Sequence, residues 1–303
     1  MNLRHLGEGS NSYAVFTDKF DSSLLEKMPR NLGRERWSID PTFYGYDIWH
    51  CRESTFLLDN GIPIAGTLKL RYPSSSEFMV ESKSIKLYLN SFDMCKMGKT
   101  TEQATYNYVI QIERDLCDLL ELNWEDPMNS VRATFHNEKT ETEDITSEYH
   151  DLYDIIDVEN LQIDDYSLSK NHLESVLLPE AQQDTEYEVK VFTNVLRSRC
   201  EKTKQKDTGS AYIHIKCSKK TVELSSLLKQ IVSLRETAEF HELCSEKLIT
   251  DIKKVEGVTD VMVMLLYARR GSLDINPVRA TKESMIPASL FRVNILTEKT
   301  PGQ

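Results

Sequence analysis

The chain has 303 residues, 40% of them hydrophobic, enough for one large or two medium domains with a core that needs no disulfide staples. A net charge of −11 and a pI near 5.2 argue against direct nucleic-acid binding, which requires a basic footprint. No apolar run approaches the roughly 18 residues of a membrane span, and the start lacks a secretory apolar core, so a cytoplasmic protein without membrane contact is expected.

Residues 1–45 show little periodicity and are expected to form an irregular arm, with Thr42-Phe43-Tyr44 docking it. A first module is expected over 46–137. In it, DIWHCRESTFLL reads as a strand, Asn60-Gly61 as a hairpin turn and Ile64 to Tyr72 as the returning strand. VESKSIKLYLNSF follows, with Glu81, Ser82 and Lys83 at a polar front and Ile85, Leu87, Tyr88, Leu89 and Phe92 behind. Its polar end is either ordinary helix capping or one wall of a ligand site. TTEQATYNYVIQIERDLCDLL carries apolar residues at helical spacing with Thr101 as its cap, and Ser130 to His136 reads as a short strand. Residues 138–187 are strongly acidic yet hold interspersed aliphatic and Tyr residues, the mark of an ordered connection.

A second module is expected over 188–303. Tyr187 to Leu196 and Ser210 to Cys217 read as strands, Leu224 to Leu234 and Glu239 to Lys254 as helices, and Val261 to Arg269 as the last strand. The order of elements in both halves predicts an α+β fold of two related units, each an antiparallel sheet with helices on one face.

Six cysteines, Cys51, Cys95, Cys117, Cys200, Cys217 and Cys244, include no CxxC pair and are read as reduced thiols. Of these, Cys200 has the context best suited to a nucleophile, because Arg197, Arg199, Lys202, Lys204 and Lys206 surround it and cations favour thiolate. Asp207, seven positions on, could turn back to it as an acid or base; the alternative is a surface loop with an incidental thiol. Glu239-Phe240-His241-Glu242 combines carboxylates, an aromatic face and an imidazole, which suits a planar heterocycle bearing N–H donors, although two Glu residues at a helix start also suit its dipole. His241 and Cys244 lack a third metal ligand at short spacing. Arg269-Arg270-Gly271 and the following SLDINP read as a flexible turn that is either a phosphate clamp or a solvated strand end, and Lys83 and Lys86 are further candidate cations. There is no GxGxxG or P-loop for a dinucleotide.

SLLEKMPR, YGYDIWH, ESKSIKLYLNSF, LQIDDY, SRC with its Asp seven residues later, EFHELC and RRGSLDINP, in that order, resemble the NADPH-dependent 7-cyano-7-deazaguanine reductases, the QueF-type nitrile reductases of queuosine biosynthesis in their long two-module form. The resemblance implies a tunnelling fold with sites at module interfaces, a homodimer, and reduction of a nitrile to a primary amine by two NADPH. It implies Cys200 as the nucleophile forming a thioimide and Asp207 as proton donor, with Val80, Glu81, Ser82, His241 and Glu242 on the substrate base. Ser82, Lys83, Arg270 and Gly271 are implied on NADPH. Where the family's loop runs close to S-N-C-x-x-T-x-Q-P-D-W-G, Arg199, Lys206 and Thr208 replace Asn, Pro and Trp, while Cys200, Thr203, Gln205, Asp207 and Gly209 remain; Ser272 replaces a Gly. Two other readings are a zinc-dependent pterin or purine cyclohydrolase on a related fold and a base-binding paralogue without activity.

Overall fold

The computed structural model describes residues 19–137, 152–156, 162–167, 170–182, 185–201 and 204–296. Much of the acidic connection, together with Lys202 and Thr203 of the cysteine loop, therefore lies outside the described residues. Thirteen strands are described: β1 (Lys27–Pro29), β2 (Tyr44–Leu58), β3 (Pro63–Pro73), β4 (Phe78–Val80), β5 (Lys96–Gly98), β6 (Arg132–His136), β7 (Asp154–Ile155), β8 (Ser175–Leu177), β9 (Tyr187–Arg199), β10 (Lys206–Cys217), β11 (Lys220–Val222), β12 (Val258–Tyr267) and β13 (Leu273–Ala280). The helices are α1 (Arg30–Arg36), α2 (Ser82–Asn90), α3 (Thr101–Leu120), α4 (Leu224–Ser233), α5 (His241–Ile252) and the single turn α6 (Ala288–Phe291).

One sheet dominates, in the order β6-β3-β2-β13-β12-β10-β9-β7, with β5 beside the end of β2. All neighbours are antiparallel except the short β5 and β7 pairings. Each half contributes a hairpin, β2-β3 or β9-β10, then two helices and a further strand, the α+β order expected. Strand alternation sends Trp49, Cys51, Leu68 and Leu70 against α2 and α3, and Ile213, Ile215, Val263 and Leu265 against α4 and α5. The opposite face is covered too: Tyr46, Ile48, Tyr212, Met262, Met264 and Val278 pack beneath Met285, Ile286, Leu290 and Ile295 of the C-terminal segment.

Three sequence expectations are corrected. The last strand is not Val261 to Arg269: β12 ends at Tyr267, and most of the presumed flexible turn SLDINP belongs to β13, the strand that joins the halves by pairing Leu273–Ala280 with Cys51–Tyr44. The cap of α3 is Thr100, whose hydroxyl accepts from the Gln103 amide, rather than Thr101. Helix α5 begins at His241, not Glu239, because Phe240 is in extended backbone as the N-cap; the buried Glu239 carboxylate accepts from Arg36 and the Trp37 indole.

Beneath the junction lies a buried ionic cluster. Arg30 of α1 pairs with Asp47 of β2 and, at 3.3 Å, with Glu246 of α5; Arg279 of β13 meets the same two carboxylates at 2.7 and 3.0 Å. Arg34 adds a 2.7 Å pair to Glu246. Four separate elements are thereby pinned together, and α5 is fixed where its first turn enters the site.

Candidate active site

Four chain segments converge on a cavity of about 460 Å³, within the range that holds a small planar ligand. The N-terminal half supplies Val80, Glu81, Ser82, Lys83 and Lys86 from β4 and the start of α2. The end of the β9-β10 hairpin supplies Cys200, Glu201, Gln205 and Asp207. The approach to α5 adds Glu239, Phe240, His241 and Glu242, and the β12-β13 connection adds Ala268, Arg270, Gly271, Leu273 and Ile275. All ten residues singled out from the sequence as site candidates line this one space, whereas Arg269 does not.

The two buried carboxylates are held differently. Glu81, 2% exposed, is the N-cap of α2 and accepts from the Ser84 amide at 2.7 Å. The capping reading and the site reading are therefore both met, because capping is what orients the carboxylate. Burial pushes the Glu81 carboxyl above its usual value, with the Ser84 and Lys83 amides partly offsetting it. Glu242 is also 2% exposed, and its carboxylate accepts no hydrogen bond from another residue among those described, its only donor being its own amide. Burial, aided by the negative charge of Asp47 and only partly opposed by Arg30 and Arg279, pushes it up to about 7.

Cys200 is half-buried at the base of the hairpin turn, where its amide donates to the Gln205 carbonyl at 2.9 Å and its carbonyl accepts from the Lys204 amide at 2.9 Å. Asp207 is the second residue of β10, opposite Ser198 of β9. Burial raises its carboxyl, but His241, 3.5 Å away through Nε2, and Arg270 outweigh this and hold it below the ordinary value. The His241 ring stacks on Tyr267 with centroids 3.6 Å apart and planes 7° from parallel, which fixes the imidazole edge towards Asp207.

At the mouth, Lys83 and Lys86 lie on successive turns of α2, and neither has a carboxylate within ion-pair distance among the described residues. Lys86 Nζ comes within 2.9 Å of where a Cβ on Gly271 would stand, and Gly271 has φ +52°, so this glycine both makes the turn and leaves room for the cation. A free pair of ammonium groups beside a bare backbone turn fits the phosphates of a dinucleotide. Arg270 differs from them: its guanidinium is already bound to Asp207 and to Gln205.

Residues 16–123 match the family profile described as "Nitrile reductase, 7-cyano-7-deazaguanine-reductase N-term", and residues 207–285 match that of "QueF-like protein". Among curated proteins, the NADPH-dependent 7-cyano-7-deazaguanine reductases of Coxiella burnetii strains CbuK_Q154 and Dugway 5J108-111 are each 33% identical over 271 residues, covering 88% of this chain and 89% of theirs. The chain belongs to the 7-cyano-7-deazaguanine reductase family. The matched ranges include the α2 start in one and Asp207, α5 and the β12-β13 turn in the other, while Cys200, Glu201 and Gln205 lie between them. Within the 7-cyano-7-deazaguanine reductase pattern, Gln205 and Phe240 were visible in the loop and EFHELC motifs, yet nothing in the sequence assigned Gln205 to Arg270. Leu273 and Ile275, which form apolar floor, were hidden inside the segment read as a turn.

Proposed function

We propose that the chain reduces the nitrile of 7-cyano-7-deazaguanine to an aminomethyl group with NADPH, through a thioimide on Cys200. The observation that carries this is the pair of buried carboxylates, Glu81 and Glu242, brought from opposite halves of the chain into one cavity with a half-buried thiol. A deazaguanine edge offers ring and exocyclic N–H donors, and buried carboxylates with spare acceptor capacity are what such an edge requires. Val80, Ser82 and His241 complete the base site, with Phe240 as an apolar face.

A nitrile carbon accepts hydride poorly until a nucleophile adds to it, and Cys200 supplies that nucleophile. Asp207 starts as a carboxylate, so the proton it delivers is one it first receives: the Cys200 S–H breaks, its proton passes to Asp207, sulfur bonds the nitrile carbon, and Asp207 returns the proton to nitrogen. The sum is a neutral thioimide with no net change in protons. Bound NADPH supplies hydride, two equivalents being needed to take a nitrile to an amine. Ser82, Lys83, Arg270 and Gly271, which line the cavity, would hold it, with Lys86 beside them. Loss of the thiolate after the first reduction restores Cys200.

The test needs no cofactor. Intact-mass measurement after mixing the protein with 7-cyano-7-deazaguanine alone is expected to show one added base, absent in Cys200→Ala. Binding of the base with no adduct on the wild type would overturn the mechanism.

Among the described residues no three His, Cys, Asp or Glu side chains form a metal-binding group, so the zinc cyclohydrolase reading has no observation in its favour. We further propose a cytoplasmic homodimer, with modules over 46–137 and 188–303 and the connection 138–187 between them; of the N-terminal segment expected as an irregular arm, residues 19–45 instead carry β1, α1 and the start of β2. Among the described residues β6 and β7 end the sheet, and edge strands that could take a partner strand support assembly. Light scattering that returns a 35.0 kDa species at micromolar concentration would refute the dimer.

A further inference from the structure

Three Lys and Arg side chains line the cavity, and they are not in the same state. Lys83 and Lys86 have no carboxylate partner among the described residues, whereas Arg270 spends both terminal nitrogens inside the site, Nη1 on Asp207 and Nη2 on Gln205. These two contacts pin the β12-β13 turn onto the β9-β10 hairpin, 63 and 65 residues away in sequence. The guanidinium side chain nevertheless remains 38% exposed and stands next to Gly271, against which Lys86 lies. The Asp207 carboxylate is what favours this position of the Arg270 guanidinium. Asp207 itself is 4% exposed and has the His241 imidazole as its other polar neighbour, 3.5 Å away, with Tyr267 behind both. A guanidinium whose two ends are occupied cannot also present its fork to a phosphate.

We propose that Arg270 is a shared clamp, for which Asp207 and a phosphate of the dinucleotide compete. This rests on the reductase reading of the site and adds to it a coupling. In the free protein Arg270 holds Asp207 in the ionised form that can take the Cys200 proton. When a phosphate reaches Lys83 and Lys86, Arg270 moves to it, and Asp207, left with His241 alone, becomes the better proton donor. Base addition and cofactor binding thus draw on one guanidinium at different stages. The coupling is reciprocal: whatever removes the charge of Asp207 must release Arg270 to the phosphate and tighten its binding by the same factor.

The experiment is a double-mutant cycle on the binding of 2′,5′-ADP, the phosphate-bearing half of the cofactor without its hydride, measured by calorimetry. Asp207→Asn is expected to tighten binding at least about fivefold, the lower end of typical coupling between sites. Arg270→Gln is expected to weaken it, and adding Asp207→Asn to Arg270→Gln is expected to change nothing further. Gln205→Leu, which frees the other end of the guanidinium and leaves Asp207 intact, is expected to tighten binding as well, and it keeps the test open should Asp207→Asn fold poorly. Unchanged or weaker binding by Asp207→Asn and Gln205→Leu would overturn the proposal. Equal tightening by Asp207→Asn with and without Arg270 would also overturn it, because the carboxylate would then merely repel the phosphate. If instead wild-type protein forms the Cys200 adduct but binds no 2′,5′-ADP, the clamp is refuted and the base site stands; absence of the adduct refutes the reductase reading itself.

Discussion

Replacing Glu242 by Gln separates what this side chain does for the ligand from what it costs the fold. In the native protein its carboxyl titrates at about 7 against an ordinary 4.5, with burial the main cause and Asp47 the second. The folded state therefore binds the proton more tightly than the unfolded chain, so stability is highest below about pH 4.5 and falls as pH rises through that value towards 7. The total is on the order of 3 kcal/mol, and an uncharged amide avoids it, apart from the smaller cost of its own unpaired N–H groups. Glu242→Gln should consequently melt several degrees higher than wild type at pH 8, with the gain vanishing at pH 5. Binding should change in the opposite sense. The ionised carboxylate is the acceptor for the deazaguanine edge, and a charged hydrogen bond there is worth about 2–3 kcal/mol, so the variant should bind the base roughly 30- to 150-fold more weakly at pH 8. Wild-type affinity should improve as pH rises from 6 to 8, and the variant should lose that slope. Calorimetric titration of the base at several pH values, paired with thermal melts, reads both effects. Affinity within threefold of wild type at pH 8, or a wild-type affinity flat from pH 6 to 8, would refute the argument.

Cys200→Ser should abolish the base adduct and turnover while shifting the melting temperature by less than about 2 °C, because the thiol is half-buried in a turn and packs in no core cluster; a larger loss by scanning calorimetry would make it a structural residue. Lys86→Ala should raise the KM for NADPH about tenfold with kcat little changed, and steady-state kinetics at two salt concentrations should show a weaker salt dependence than wild type. Arg30→Met should lower stability by about 3–5 kcal/mol in denaturant titrations, since it removes one partner of a fully buried ion pair and leaves Asp47 and Glu246 to Arg279 and Arg34. Arg36→Met should cost less, about 1–3 kcal/mol in the same titrations, because its own side chain is 52% exposed but it leaves the buried Glu239 carboxylate to the Trp37 indole.

Elements with a clean period were legible before the fold was known. The β2-β3 hairpin announced itself by alternation around Asn60-Gly61, and α3 by its apolar face, because both patterns are set by local geometry and one buried side. The ends were less secure: Thr100 and Thr101 are equally good caps on paper, and only the Gln103 amide decides between them. β13 could not be seen this way. LDINPVRA carries Asp274, Asn276 and Arg279 at fully buried positions, which reads as a loop until their partners arrive: His50 and Arg52 of β2 for Asp274, and Asp47 of β2 and Glu246 of α5 for Arg279. A polar residue is excluded from a core strand only if it goes unpaired, and pairing across 33 residues for Glu246 and more than 200 for the β2 partners leaves no local trace.

The same division runs through the site. By itself the sequence determined the residue types and the family, since Cys200, Asp207, the ESKSIK stretch and EFHELC are short motifs whose order is specific. It did not determine their electrostatic state. Glu242 is pushed up by burial beside Asp47, Asp207 is held down by His241 and Arg270, and Lys83 and Lys86 have no carboxylate partner among the described residues; each follows from which charges the fold places within a few ångströms. Coulomb energies depend on distance and burial, and both are properties of the tertiary structure alone.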